Sequence, residues 1–431
     1  MTSRYQTPEM AQLWSEETKF KTWLLVEKAV AKIEGELGII PKPAAEKIQQ
    51  ATFKISEIER FEKETNHDVI AFTRSVAKSA GEAGKYVHYG ITSYDVVDTA
   101  LVLRCVQALD IIHTALLELQ VTTANLARRY QWTPMIGRTH GVHAEPITFG
   151  LKCLSWLAEI NRGIERVKLA RAEIAYGKIS GTVGAYTQLS PEVEKRVLKL
   201  LNLKVEPVST QVIPRDRHAF LLSMLALIAT GLERIATEIR NLQRTEIGEV
   251  SEPFGKSQAG SSAMPHKKNP IICERICSLT RVIRSYAFAS YENIPLWHER
   301  DLTNSAAERI IIPEAFTLLH YCLRQMNRVL AGLVVRPEQM EKNLKISGET
   351  FFSQALLLAL VNKGMNRTRA YRLVQKLSFE AISSGTTLSQ LARNDRTVQR
   401  HLSPSELEAV FQLRNLVQHV DAVYRRVLGR K

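Results

Sequence analysis

Long unbroken apolar runs are what this sequence most lacks. No stretch reaches the roughly 20 apolar residues of a bilayer-crossing helix, and the opening MTSRYQTPEM has no apolar core of the kind a secretory leader carries. A cytoplasmic protein with no membrane partner is the expectation. Cysteine is scarce too: Cys105, Cys153, Cys273, Cys277 and Cys322 are odd in number, and four stand among apolar, helix-like neighbours. That favours reduced core thiols over a disulfide framework. Cys273 and Cys277 are four apart, but no second Cys/His pair stands beside them, so no metal site is expected. Alternating β-branched runs are scarce, and internal repeats and low-complexity tracts are absent, which leaves helix as the dominant element.

Negative charge is in deficit, with 44 Asp and Glu against 58 Lys and Arg, a formal net charge of +14. Such a surplus suits nucleic acid, an anionic surface or a polyanionic small substrate. The basic residues are spread along the chain, with no RNP motif, zinc-finger spacing or basic arm. A concave site for a small anion fits better, and no nucleic-acid partner is expected.

What is present is ordinary for a globular protein: 45% hydrophobic and 24% charged over 431 residues. That length suffices for roughly two to four domains and a large core. Between about 219 and 247, Leu225, Ile228, Leu232, Ile235, Ile239 and Leu242 recur at steps of three and four, the seam of a long helix. Leu154, Leu157, Ile160, Ile164, Val167 and Ile174 repeat the pattern, as do the stretches 111–126 and 310–330. VVDTALVLRCV reads as a helix started after Ser93, and LSPSELEAVF offers Ser403 as N-cap, Pro404 at the first turn and Glu406 at the third position. The fold expected is all-α: a helical region 1–110, a long-helix bundle 111–350 and a helical tail 351–431. Seams longer than a monomer needs imply burial against other subunits, hence a homo-oligomer.

Non-helical chemistry concentrates in a few segments. GSSAMPHKKNP at 260–270 crowds two serines and three potential cations between prolines, in a stretch of about twenty residues without helical pattern. If it closes over a substrate, Lys267 and Asn269 hold a carboxylate while a serine hydroxyl faces the adjacent carbon. The amides of the helix beginning near Ile271 would add to the anion field. A solvated surface loop would share this composition. GRTHGVHAEPITFG at 137–150 gathers Arg138, His140, His143 and Glu145; a histidine there can protonate a leaving group, though structural histidines look the same. NHDV places His67 and Asp68 at a helix start, and HYGITS offers His88, Thr92 and Ser93 before another, either an anion cradle or plain capping. LWHERDLTNSAAER brings Arg300, Ser305 and Arg309 near a helix start, fit to grip a phosphate or to pair with neighbouring acids.

Together these segments resemble the fumarase/aspartase superfamily, whose catalytic loop carries GSSxMPxKxNP. Within it the chain is most similar to the adenylosuccinate lyase family, on Arg4–Tyr5, NHDV at 66–69, HYGITS at 88–93, RTHGVHAEP at 138–146 and MPHK. The resemblance implies elimination of fumarate from adenylosuccinate and from the succinyl-carboxamide ribotide of purine synthesis, with no cofactor. It implies that Ser261 is the base and His140 the acid, with Glu274 supporting His140 and with His67 and His88 orienting substrate. Lys267 and Asn269 would bind the succinyl carboxylates, and Asp68, Thr92 and Ser93 would lie beside the nucleotide. Arg4, Tyr5, Arg300, Ser305 and Arg309 would hold it, and Gln211 would contact the substrate. A homotetramer whose active sites are shared between subunits is also implied. Two positions depart from the family pattern: Tyr94, where small residues are common, and Lys268, where arginine is frequent. A carboxymuconate cycloisomerase-like or argininosuccinate-type lyase is the alternative within the superfamily.

Overall fold

The computed structural model describes residues 3–255 and 263–429; the segment 256–262, which holds Ser261 and Ser262, lies outside the described residues. The chain is all-α, with strands only in three short two-stranded sheets among the described residues. The four expected seams become the helices Ser93–Arg129, Phe149–Ile174, Asp216–Leu242 and Thr303–Ala331, and the helix expected to begin near Ile271 is Ile271–Tyr291. Leu154, Leu157, Ile160, Ile164, Val167 and Ile174 are all buried, as are Leu225, Ile228, Leu232, Ile235, Ile239 and Leu242. Their spacing keeps one stripe inward over the length of each helix.

One expectation about these helices needs correcting. Ser93–Arg129 and Asp216–Leu242 are long and apolar enough, by length and composition, to cross a bilayer. Their apolar residues are interspersed with polar ones, which hides the total from a search for unbroken runs. About half of each apolar window, 50% and 56%, is buried inside the protein, as core helices require.

The chain forms two compact units, Met1–Leu117 with Arg162–Glu233 and Ile276–Gln325, and Glu118–Asn161 with Arg234–Arg275 and Met326–Lys431. In the first, an aromatic cluster of Phe20, Trp23, Phe53 and Phe72 locks the Glu16–Glu36 helix against Asp68–Ala80, with Phe20 and Phe72 stacked at 5.7 Å. Burying each such ring contributes about 1.5–3 kcal/mol, enough to hold the helix start at His67 in place. Asp95, in the first turn of Ser93–Arg129, is the other anchor. Its carboxylate accepts from the wholly buried ammonium of Lys178 and from the amides of Thr92, Ser180 and Gly181 at 2.8, 3.2 and 3.2 Å. One side chain thereby ties the Thr92–Ser93 turn to the loop at 178–181.

In the second unit, Leu356, Leu360, Val374, Leu377, Leu388 and Leu407 close a cluster of their own. This supports the tail division at 351, which with that at 110 we keep as a proposal. The capping box at Ser403 and Glu406 is formed, with Ser403 Oγ accepting from the Glu406 amide at 3.3 Å and Glu406 accepting from the Ser403 amide at 2.9 Å. All five cysteines are buried thiols outside any disulfide, and burial pushes the Cys105 thiol up to about 12.

Asp95→Ala leaves the Lys178 charge buried without its partner. The expected cost is about 3–5 kcal/mol, seen as an earlier denaturant midpoint; an unchanged midpoint would show that the pair does not anchor the turn.

Candidate active site

In the first unit a cavity of about 620 Å³ is lined by His67, Asp68, Thr92, Ser93, Gln211, Arg300, Ser305 and Arg309. These eight sequence-nominated residues come from well-separated stretches of chain, and the volume falls within the range of small-molecule sites, roughly 300–1,000 Å³. His67 caps the Asp68–Ala80 helix, its Nδ1 accepting from the Ile70 amide at 3.4 Å, so a neutral ring carries its proton on Nε2. Asp68 accepts from Arg309 Nη2 at 2.7 Å. Burial works against the Arg309 charge, and the neighbouring Asp68 outweighs it, holding the guanidinium pKa above its ordinary value.

Arg300 is built differently. Its Nη1 donates to Gln211 Oε1 at 2.8 Å, while Nε and Nη2 are buried without a hydrogen-bond partner. The guanidinium carbon lies 3.4 Å from the Tyr94 ring centroid. Tyr94 also donates its hydroxyl to Ser305 Oγ at 3.0 Å, and burial, with Asp98 nearby, pushes its phenol up, so it remains a donor. Beneath lies a buried ionic layer. Arg215 Nη2 donates to both oxygens of Asp98 at 2.6 and 2.7 Å, and its Nε pairs with Glu308 at 3.3 Å. Asp98 also accepts from the Ile213 amide at 2.9 Å, fixing the backbone two residues after Gln211. Burial, opposed by Arg215, raises Glu308 to about 7.

Three nominated residues of this unit stand outside that lining. Arg4 and Tyr5 occupy the short helix Ser3–Tyr5, with Tyr5 edge-on to Tyr321 at 5.6 Å. His88 sits at φ +62°, in the left-handed region. The two oxygens of buried Glu27 hold it there, one accepting from its backbone amide at 3.0 Å and the other meeting its Nδ1 at 2.6 Å. Burial disfavours the imidazolium, but the Glu27 carboxylate outweighs it and holds the His88 pKa above its ordinary value.

In the second unit the sequence 134–148 forms an antiparallel hairpin, Pro134–Thr139 with Val142–Thr148. His140 stands exposed at its turn with φ +55°, followed by Gly141 at φ +76°. Arg138 is structural: its guanidinium forks onto buried Glu249 at 2.7 and 3.1 Å, and Asn343 donates to the same carboxylate at 2.7 Å. Burial, with Arg138 nearby, lowers the His143 pKa.

A separate cavity of about 790 Å³ in this unit is lined by Lys267, Asn269 and Glu274, with His266, Lys268 and Arg240 beside them. His140 is not in its lining, and no hydrogen bond joins His140 to Glu274 within the chain. The helix end behind Asn269 is not an open anion cradle as its sequence suggests. Buried Glu252 already accepts from the amides of Ile272 and Cys273 at 3.1 and 2.6 Å. Among the described residues no group of three or more His, Cys, Asp or Glu could hold a metal ion.

Sequence reasoning missed Glu27, Asp98, Arg215 and Glu252. Only Glu27 carried a signal, a carboxylate set among the apolar positions of a helix. The raised His88 pKa means that this pair's stabilisation is whole below the ordinary imidazole pKa and is lost as pH rises through the folded-state value. Glu27→Gln is expected to lower the His88 pKa in an NMR titration and to abolish that loss of stability; an unmoved titration would rule out the pairing in solution.

The model of the family described as "Lyase" matches residues 1–284, and that of "Adenylosuccinate lyase C-terminus" matches 349–427. Adenylosuccinate lyase of Thermotoga maritima is 47% identical, covering 99% of both chains, and that of Bacillus subtilis is 45% identical with the same coverage. Among solved structures, a fumarate lyase from Mesorhizobium sp. BNC1 superposes with a TM-score of 0.92 at 28% identity over 100% of both chains. The 3-carboxy-cis,cis-muconate lactonizing enzyme from Pseudomonas putida gives 0.90 at 26% identity, over 99% of this chain and 97% of its own. With two family models and full-length relatives in agreement, this chain belongs to the adenylosuccinate lyase family of the fumarase/aspartase superfamily.

Proposed function

We propose that the chain eliminates fumarate from adenylosuccinate, giving AMP, and from succinyl-aminoimidazole-carboxamide ribotide in purine synthesis. One observation carries the reading: eight nominated residues converge on a nucleotide-sized cavity in a chain 47% identical, end to end, to an adenylosuccinate lyase. Arg300, Ser305 and Arg309, with Arg4 and Tyr5, hold the phosphate end; His67, Asp68, Thr92, Ser93 and Gln211 line the remainder. Lys267 and Asn269 bind the succinyl carboxylates.

Ser261, as alkoxide, takes the proton from the succinyl carbon. The electron pair is held as an aci-carboxylate dianion beside Lys267. The C–N bond then breaks with its electrons moving to nitrogen, His140 supplies that nitrogen with a proton, and the C=C bond of fumarate forms. A free serine hydroxyl is far too weak a base at neutral pH and needs positive charge near it. Because Glu252 neutralises the helix end, that role falls to Lys267 and His266. His88, whose pKa Glu27 holds above its ordinary value, orients substrate.

We read the assembly as a homotetramer with active sites shared between subunits, in which Glu274 supports a histidine of another copy. Exposed apolar side chains on the long helices, Val121, Leu169, Leu227, Phe288 and Ile310, support this. Buried thiols outside any disulfide suit a cytoplasmic setting. Likeness to the muconate lactonizing enzyme favours a second reading at the level of fold, but at 26% identity against 47%.

Purified protein mixed with adenylosuccinate should show turnover by absorbance. Ser261→Ala and His140→Gln should each reduce kcat by about 10²–10⁴-fold while still binding substrate. Absence of turnover, together with activity on a carboxymuconate, would overturn the assignment.

A further inference from the structure

The phosphate end of the first-unit cavity contains a side chain that neither the family signature nor the proposed chemistry uses. Tyr94 is almost fully buried, yet it touches two of the groups assigned to the phosphate, Arg300 and Ser305. The Arg300 guanidinium carbon lies over the Tyr94 ring, 3.4 Å from the centroid, and the tyrosine hydroxyl donates to Ser305 Oγ at 3.0 Å. The Arg300 guanidinium donates from Nη1 to Gln211, while Nε and Nη2 are buried with no acceptor among the described residues. A buried guanidinium with unmet donors is costly unless something replaces the lost solvation. An aromatic face does so through its quadrupole without neutralising the charge, as a carboxylate would. The cation is thus held rigid and left available to an incoming anion.

The hydroxyl acts on Ser305 in the same sense. An oxygen that accepts from Tyr94 keeps its own hydrogen for another acceptor, so Ser305 is set as a donor, and a chain from phenol to serine to phosphate oxygen strengthens each link. Tyr94 itself is fixed because it follows Ser93 in the turn that Asp95 ties down. By contrast Arg309 is held by a carboxylate, Asp68, at 2.7 Å. Its charge is therefore partly spent before the ligand arrives.

We infer that Tyr94 is the positioning residue of the phosphate subsite: its ring orients and desolvates Arg300, and its hydroxyl turns Ser305 into a phosphate donor. The inference rests on the nucleotide reading of this cavity. It places Tyr94 in binding rather than in proton transfer.

The test compares wild type, Tyr94→Phe and Tyr94→Leu, each checked for folding by circular dichroism and thermal melting. Inorganic phosphate binding is measured by calorimetry, and KM and kcat on adenylosuccinate. Tyr94→Phe keeps the ring and should weaken phosphate binding about 3-fold, for one lost hydrogen bond; Tyr94→Leu removes both contacts and should weaken it about 10- to 30-fold. KM should rise in step, with kcat changing far less. A folded variant that binds phosphate as wild type does, or one that loses kcat at constant KM, overturns the role. If Tyr94→Leu does not fold, the Tyr94→Phe result alone decides. Wild type that binds phosphate but does not turn over adenylosuccinate would overturn the lyase reading and leave the Tyr94 comparison intact. Wild type that binds no phosphate would overturn this inference as well.

Discussion

A buried charge must meet its opposite or be lost to folding, and in the first unit that requirement falls on two carboxylates one turn apart, Asp95 and Asp98, near the start of the Ser93–Arg129 helix. Asp95 meets Lys178 and collects three amides; Asp98 meets Arg215 and an amide beside Gln211. Through these contacts the helix start sets where Thr92, Ser93, Tyr94 and Gln211 stand. Breaking such a pair is costly because the remaining partner cannot be resolvated. The cavity wall therefore inherits its rigidity from charges that never face a ligand.

The excess of positive charge then has a local meaning. Arg138, Arg215 and Lys178 are paired inside and contribute to folding, whereas Lys267, Lys268 and His266 are exposed on the loop leading into the Ile271–Tyr291 helix. Glu252 sharpens that distinction. By occupying two amides of the helix end it settles the backbone electrostatics internally and leaves the side-chain cations as the local field for an anion.

The long helices were legible because a repeat of three and four survives any tertiary context, and Ser403 was legible because a capping box is local. Histidine and hydroxyl residues at helix starts were legible for the same reason, as His67 shows. The hairpin at 134–148 was not: only Met135 and Ile136 of its first strand are fully buried, too short a pattern to read as β. Glu27, Asp98, Arg215 and Glu252 act through partners distant in sequence, which no spacing rule reaches. Tyr94 was visible only as an oddity; its ring contact with Arg300, 206 residues away, needed coordinates.

The burial of every cysteine carries a practical corollary. A thiol that is both enclosed and difficult to ionise offers nothing to an alkylating reagent while the helices stay packed. Uptake of label by Cys105, Cys153 or Cys322 therefore times the opening of the core around it, giving this chain three intrinsic clocks for local unfolding without any engineered probe.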